Sequence, residues 1–485
     1  MKLLEILADV QYTCENFQNI EIADIVYDSR KATEGMLFVC LEGAFADGHK
    51  YAASAYAAGC RAFVCSKNIQ VGDDAIIIKT ENTRAALARI SCSFFRHPSR
   101  ELSVIGITGT KGKTTIAHIV KFVLEAAGIK TGIIGTVGAS YGDVTLPTVN
   151  TTPESYELQK MLRLMADAGC AAAAIEVSSL GLKTHRVDGM QFAFGVFTNL
   201  YPDHIGTNEH ASFEEYGFWK AQLFTMCKRA VVNIDDPFGK KIAEDFDGEL
   251  FTYGCDENAE YRLTRCDRAR LGALPAVSFE YERGGKKDSY TVSLIGAVNA
   301  ANSLAAVAIG EAMGLCRTQI AAGLCGVFVK GRGEVVRSDE PYTVIIDYAH
   351  NGVSLKNIID TARGYEPNRI ISLFGSVGGR AECRREELGS VSGKYSDFTV
   401  ITSDDPEYED PRAICEEIAA YCEGAHVIIP DRAEAIRYAI SIAQAGDIVI
   451  LAGKGHEKFM KVKGEKLPFD ERQEVFKAIE MKRRG

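Results

Sequence analysis

A lysine followed by two threonines can neutralise phosphate charge and offer a hydroxyl to Mg2+ if backbone amides reach the same anion. Lys113, Thr114 and Thr115 sit in such a setting, in the run Thr108-Gly109-Thr110-Lys111-Gly112-Lys113-Thr114-Thr115. Glycines let N–H groups approach a phosphate, and a helix opening at Lys113 adds positive potential. The spacing departs from G-x-x-x-x-G-K-[ST], because Ile107 stands where the first glycine would be. A bare glycine turn is the bland alternative. The flanks argue against it, since an apolar strand (LSVIGIT, 102–108) leads in and a helical pattern (KTTIAHIVKFVLEAAG) leads out.

Three further side chains could work beside such a loop. Glu176 ends the apolar run AAAAI, and a carboxylate at a strand's C-terminal end faces the ligand crevice of an open α/β sheet. Alone it would be a solvated loop acid; with the phosphate loop it becomes a hard oxygen ligand for Mg2+. His204, in NLYPDHIG, taken alone is structural. Lys220, beside the chain's only tryptophan on an amphipathic helix, taken alone is a solvated surface residue.

The elements that must position these residues suggest an α/β protein of three domains. Residues 1–98 alternate short β-like runs (MLFVCLEG, RAFVCS, DAIIIKT) with Ala-rich helical stretches and read as a small N-terminal α/β domain. His97-Pro98-Ser99 marks its end. Residues 99–331 form a central P-loop-type ATPase domain, with strands GIIGTV, AAAAIEV, FAFGVFTNL and RAVVNID separated by helices, a pattern that favours a mostly parallel sheet. A β-hairpin insertion with a Gly-Gly turn is expected over 255–295, and helix returns at 299–314. Residues 332–485, with strands TVIIDYA, RIISLFG, FTVITSD, HVIIP and DIVILAG, read as a Rossmann-like C-terminal domain.

A chain of 485 residues with 46% hydrophobic and 25% charged content has the composition of a globular protein with several cores. Its net charge of −10 argues against nucleic acid or an acidic membrane surface as a general partner. MKLLEILADVQYTCENF interrupts its apolar stretch with Glu5 and Asp9 and lacks a cleavage signal, and no apolar run spans a bilayer. The 14 cysteines form no C-x-x-C pair, so reduced, mostly buried thiols and a cytoplasmic location are expected.

Several motifs in fixed order then give a resemblance covering almost the whole chain: YDSRKATEGMLFV (27–39), TGTKGKTT, NTTPES (150–155), EVSS (176–179), HRVDG (185–189), FTNLYPDHIG (197–206), WKAQLF (219–224), GAVNAANSLAA (296–306), KGRGE (330–334), DYAHNG (347–352), SDDPEYEDP (403–411) and GKGHE (453–457). The chain resembles the Mur ligase family, and within it the branch that adds a diamino acid to UDP-N-acetylmuramoyl-L-alanyl-D-glutamate in peptidoglycan synthesis. The resemblance implies ATP and Mg2+, a UDP-linked muramoyl dipeptide and a diamino acid as small-molecule partners, and a monomer. Tyr27, Ser29, Gly43, Ala44 and Phe45 would hold the uridine nucleotide. Asn150, Thr151, Thr152, Ser178, Thr184 and Arg186 would grip the sugar-peptide part. Gly109, Thr110, Lys111, Gly112, Lys113, Thr114 and Thr115 would bind ATP phosphates, with Asn299, Arg332, Asp347 and His350 completing the nucleotide site. Thr114, Glu176 and Lys220 would ligate Mg2+, Lys220 as its N6-carboxy (carbamylated) form, and His204 would lie near the reacting phosphate.

The family's acceptor site would here comprise Arg385, Asp404, Asp405, Pro406, Glu407, Gly453 and Glu457, with Arg385 pairing the incoming α-carboxylate. Diaminopimelate-adding relatives read D-N-P-R where this chain reads Asp404-Asp405-Pro406-Glu407. A glutamate repels a carboxylate and attracts an ammonium, so L-lysine is the expected amino acid, with L-ornithine or meso-diaminopimelate as alternatives. If Glu407 points to solvent, something else selects. Lys111 in place of the family's asparagine and Leu180 in place of a histidine mark a sub-branch. The rivals fit less well: a folylpolyglutamate synthase lacks NTTPES and DDPEYEDP, an accessory Mur-like subunit would carry a cysteine cluster, and a P-loop switch has no use for the third-domain motifs.

Overall fold

The computed structural model describes residues 1–43, 46–203, 205–206, 209–379 and 383–484. Three residues named above, Ala44, Phe45 and His204, therefore lie outside the described residues. The chain forms two compact units, Met1–Arg262 with Ala305–Cys316, and Leu263–Leu304 with Arg317–Gly485.

The first unit holds two sheets. Near the N-terminus, β1 (Thr13–Glu15), β2 (Asp24–Val26), β3 (Met36–Val39), β4 (Ala62–Cys65) and β5 (Ile76–Lys79) align in the order β1-β5-β4-β3-β2. All neighbours are parallel except β1 with β5. The short strands β1 and β2 carry too few alternating apolar positions to stand out in the sequence.

The second sheet of this unit carries the phosphate loop. It is built from β6 (Ser103–Thr108), β7 (Thr131–Gly135), β8 (Gly138–Tyr141), β9 (Val144–Leu146), β10 (Ala172–Glu176), β11 (Phe192–Phe197), β12 (Cys227–Asn233) and β13 (Glu249–Gly254), in the order β13-β12-β11-β6-β10-β7-β8-β9. The strands from β13 to β7 are mutually parallel; β8 and β9 return antiparallel. Burial on both faces explains their continuous apolar runs. In the helix Lys113–Ala126, Ile116, Ile119, Val120, Val123 and Leu124 are buried at the spacing of one helical face. Register then places the site: Glu176 pairs with Ile107 and Phe197 with Thr108, so the ends of β10 and β11 flank the loop after β6.

The second unit takes up the hairpin region, β14 (Tyr261–Leu271, from Leu263 onward), β15 (Leu274–Arg283) and β16 (Lys286–Val292), with Gly284-Gly285 at the turn. Its main sheet contains β17 (Glu334–Val335), β18 (Thr343–Asp347), β19 (Ile370–Phe374), β20 (Phe398–Ile401), β21 (His426–Ile428) and β22 (Ile448–Ala452), in the order β17-β18-β22-β19-β20-β21, parallel apart from β17. Ile345 faces one apolar cluster and Val344 and Ile346 the other, so this sheet is covered on both sides. A final hairpin, β23 (Phe459–Val462) with β24 (Glu465–Pro468), turns at Lys463-Gly464, both in the left-handed region as a two-residue turn requires.

Among the described residues no helix is long and apolar enough to cross a membrane. All the cysteines are free, and the expectation that they are mostly buried needs correction. Cys40, Cys60, Cys65, Cys92, Cys170, Cys415 and Cys422 are buried, but Cys255, Cys316, Cys325 and Cys383 are exposed.

Candidate functional site

The phosphate loop is folded onto the segment that follows β11. Thr110 N–H donates to Asn199 O (2.9 Å), Lys111 N–H to Asn199 Oδ1 (2.9 Å), and Thr198 Oγ1 to Lys111 O (2.6 Å). Gly109 must be glycine here: its φ is +142°, and a Cβ would lie 1.9 Å from Thr198 Oγ1. Lys111 extends to Asp203 at 3.1 Å, which gives this departure from the family pattern a local partner.

Lys113 and Lys220 converge on one carbonyl. Lys113 Nζ donates to Gly109 O (2.8 Å) and Thr110 O (3.1 Å), and Lys220 Nζ also donates to Gly109 O (2.8 Å). The reading of Lys220 as a solvated surface residue is overturned, because it is only 1% exposed on the helix Phe213–Ala221 and lies over the Tyr216 ring. Burial, reinforced by the charge of Lys113, drives its amine well below the ordinary lysine range. A neutral buried amine is a nucleophile toward CO2, and the resulting carbamate anion would attract Lys113 rather than repel it.

Across the loop, Thr114 Oγ1 donates to Glu176 Oε2 (2.9 Å). Thr136 holds the same carboxylate, its N–H on Oε1 at 2.9 Å and its hydroxyl on Oε2 at 3.1 Å. From there a chain of polar contacts leads away from the phosphate loop. Thr136 Oγ1 meets Thr151 Oγ1 (3.1 Å), Thr152 Oγ1 donates to Glu176 O (2.9 Å) and lies 3.1 Å from Ser178 Oγ, and Arg186 Nη1 donates to Thr152 O (2.9 Å). Thr151, Thr152, Ser178 and Arg186 thus gather beside the Thr114–Glu176 pair. Asn150 is exposed nearby in sequence, and Thr184 Oγ1 is used on Leu180 O (2.7 Å).

Sequence reading missed Thr136; its signal was a hydroxyl directly after the glycine that ends β7. It also missed Glu154 and Glu157. Glu154 pairs with Arg186 (2.9 Å) and Arg84 (3.0 Å), and Glu157 accepts from Tyr27 OH (2.7 Å). Tyr27 is therefore engaged with an acid of the helix Ser155–Asp167, and burial followed by that hydrogen bond raises its phenol above the usual range. Ser29 opens a short 3-10 turn capped by Asp28, and Gly43 N–H donates to Ala46 O.

The remaining proposed residues belong to the second unit. Asn299 Nδ2 donates to Ile295 O (2.7 Å), and the Arg332 guanidinium lies 4.9 Å from the Tyr348 ring centroid. Asp347 accepts from Gly333 N–H (2.6 Å) and Ala349 N–H (2.8 Å), and His350 Nδ1 lies 2.9 Å from Tyr348 O.

In the acceptor motif, Asp404 and Asp405 follow β20 and Gly453 follows β22, strands whose ends align through β19. Lys454, not singled out from the sequence, is fully buried among Asp405 (2.7 Å), Glu457 (2.5 Å) and Asp404 (3.6 Å). Burial pulls its ammonium down, but the three carboxylates outweigh that and hold it above the ordinary lysine value. Arg385, expected to await an incoming carboxylate, is buried and already engaged with Glu409 (2.7 Å) and Glu417 (2.5 Å). Glu407 is not a lone carboxylate either; it stands 3.7 Å from Lys461 Nζ.

Comparison with known proteins gives matches along most of the chain. Residues 21–95 match the Mur ligase family catalytic domain, 107–310 the Mur ligase middle domain, and 331–455 the Mur ligase glutamate ligase domain. The UDP-N-acetylmuramoyl-L-alanyl-D-glutamate--2,6-diaminopimelate ligase of Caldanaerobacter subterraneus subsp. tengcongensis is 38% identical over 479 residues, covering 98% of each chain. The chain belongs to the Mur ligase family. A Clostridium perfringens ligase of the same name is 36% identical, covering 95% of this chain and 96% of its own. A solved diaminopimelate ligase superposes with a TM-score of 0.73 at 26% identity, covering 100% of this chain and 99% of that one. The Thermotoga maritima MurF ligase, solved in complex with ADP, shares the fold at a TM-score of 0.60 and 17% identity, covering 95% of this chain and 98% of its own. As a Mur ligase this chain is an ATP-dependent, Mg2+-using enzyme. The Thr114 hydroxyl and Glu176 carboxylate, hard oxygens in contact beside a phosphate loop, fit the metal.

Proposed function

We propose that this Mur ligase joins 2,6-diaminopimelate to the γ-carboxylate of UDP-N-acetylmuramoyl-L-alanyl-D-glutamate. The expectation of L-lysine loses its support on both sides. The relatives described above carry the diaminopimelate name, and the Glu407 charge on which that expectation rested is balanced by Lys461.

A carboxylate is a poor electrophile, so the chemistry must first convert it. The substrate carboxylate oxygen attacks the γ-phosphorus of ATP, the bond to the β-phosphate oxygen breaks, and ADP leaves. The amine of the amino acid then attacks the acyl carbon and loses a proton, and the C–O bond breaks to release phosphate. Lys113 would move from the Gly109 and Thr110 carbonyls onto phosphate oxygens, matching the charge that builds there. Thr151, Thr152, Ser178 and Arg186 would orient the sugar-peptide, and the N-terminal domain around Tyr27 and Ser29 its nucleotide. Mg2+, held by Thr114, Glu176 and carbamylated Lys220, would screen the charge of the transferring phosphoryl group.

The observation that carries the reaction is the direct contact of Thr114 with Glu176 inside a polar cluster that also holds the proposed substrate-gripping residues. The test measures ADP release with and without the UDP-linked dipeptide, and with meso-diaminopimelate, L-ornithine or L-lysine. Release should require both substrates and be fastest with diaminopimelate. Release indifferent to both would refute the ligase reading; a preference for L-lysine would refute the choice of amino acid.

A further inference from the structure

The reaction as written gives no role to the Glu407–Lys461 ion pair, although the structure holds it beside the acceptor motif. Glu407 Oε1 and Lys461 Nζ are 3.7 Å apart, and the side chains are 28% and 38% exposed. The backbone of β23 fixes both partners. Glu407 N–H donates to Lys461 O (3.1 Å), Lys463 N–H donates to Glu407 O, and Lys461 N–H donates to Asp405 Oδ1 (2.9 Å). Glu407 also adopts φ +52°, a conformation that a non-glycine residue keeps only where its surroundings hold it. A half-exposed pair at 3.7 Å lies beyond hydrogen-bond distance, so both groups retain capacity for a further partner.

The far end of 2,6-diaminopimelate is a pair of opposite charges, an ammonium and a carboxylate on one carbon. L-lysine ends in an ammonium alone. We propose that Glu407 and Lys461 together read the distal centre of the incoming amino acid, Glu407 accepting from its ammonium and Lys461 donating to its carboxylate. This rests on the diaminopimelate reading above. A glutamate standing alone at position 407 would repel the distal carboxylate. Paired with Lys461 it presents a neutral couple, and selection follows from the placement of the two charges rather than their sum. L-lysine must compete with Lys461 for Glu407 and offers Lys461 nothing in return.

The test is steady-state kinetics of the full-length enzyme with the UDP-linked dipeptide, comparing wild type, Lys461→Met, Lys461→Arg and, as a hairpin control, Lys463→Ala. Losing one charge-assisted hydrogen bond should lower kcat/KM for diaminopimelate roughly 10- to 100-fold, mainly through KM. L-lysine turnover should stay level or rise, so the variant's preference narrows. Lys461→Arg and Lys463→Ala should keep the wild-type preference. Equal loss on both amino acids in Lys461→Met, or unchanged selectivity there, would overturn the inference while leaving the diaminopimelate reading intact. A wild-type preference for L-lysine, visible without any variant, would overturn both.

Discussion

Thr114 Oγ1 donates to Glu176 Oε2 across 2.9 Å although 62 positions separate them in the chain. The contact exists because β6 and β10 are parallel neighbours with Glu176 in register with Ile107, two residues before the phosphate loop begins. The two oxygens proposed as metal ligands are therefore preassembled, and binding a cation would need only to redirect a hydroxyl proton. Glu176→Gln keeps the shape and removes the charge. It should lower kcat by about 100- to 1,000-fold, a loss on the scale of a preorganised charge-stabilising group. Titrating Mg2+ against ADP release should show a higher requirement; an unchanged Mg2+ curve would count against Glu176 as a ligand.

Gly135 tests the same carboxylate from behind. A Cβ there would lie 2.1 Å from Glu176 Oε1 and 2.6 Å from its Cδ. Gly135→Ala should therefore push Glu176 off the Thr136 N–H and cost about 100-fold in turnover through misplacement alone. A crystal structure of the variant with wild-type Glu176 geometry, or full activity, would contradict this.

Lys220→Met separates stability from catalysis. Folding lowers the Lys220 amine from its ordinary value of 10.5, so the unfolded chain holds that proton more tightly. The resulting destabilisation is complete below the folded value and fades as pH rises toward 10.5. In CO2-depleted buffer the methionine variant should thus melt above wild type, with the advantage greatest at acid pH. Gly109 O keeps its bond from Lys113 in the variant. Activity should be nearly abolished, and short carboxylic acids should partly restore it in Lys220→Ala. A Tm difference that does not vary with pH would rule out the buried-amine argument.

Arg432 and Glu471 form a fully buried ion pair, and Arg432 also donates to Ser403 O (3.0 Å) and Ala452 O (2.8 Å). These carbonyls directly precede Asp404 and Gly453. Arg432→Met strands the Glu471 charge and should cost about 3–5 kcal/mol of stability by denaturant unfolding. At temperatures where the variant stays folded, KM for the amino acid should rise while KM for ATP holds. A rise in both would point to a general loss of structure.

Lys454→Met removes the ammonium among Asp404, Asp405 and Glu457 and leaves three carboxylates facing one another. Mutual repulsion should spread them and raise the amino-acid KM by roughly 10-fold or more. An unaltered KM would mean that the acceptor groups hold their places without Lys454.

What the sequence revealed follows from which forces are local. The phosphate loop and the strands of the two large sheets were legible because glycine spacing and apolar runs are written in consecutive residues. The short strands β1 and β2 and the hairpin β23–β24 were not, since FMKV and EKLP show no clean alternation of apolar and polar residues. Side chains whose state depends on distant partners were the hardest. Lys220 looked solvated because a lysine on an amphipathic helix ordinarily lies on the polar face, yet Gly109 and Tyr216 lie against it. Arg385 looked available, but Glu409 and Glu417 already engage it. Glu407 looked like a free charge because Lys461 lies on a hairpin that pattern reading did not resolve.

That last hairpin has a consequence for how the enzyme could change its diet. The groups proposed for phosphate activation sit at the ends of deeply buried strands, where almost any substitution disturbs a core. The proposed choice of amino acid, by contrast, draws on Lys461, carried by a surface ribbon of two short strands joined by a tight turn. No residue of that ribbon belongs to either apolar cluster of the C-terminal sheet. Descendants of such a chain could switch building blocks through a few changes in one peripheral loop, leaving the inherited engine untouched.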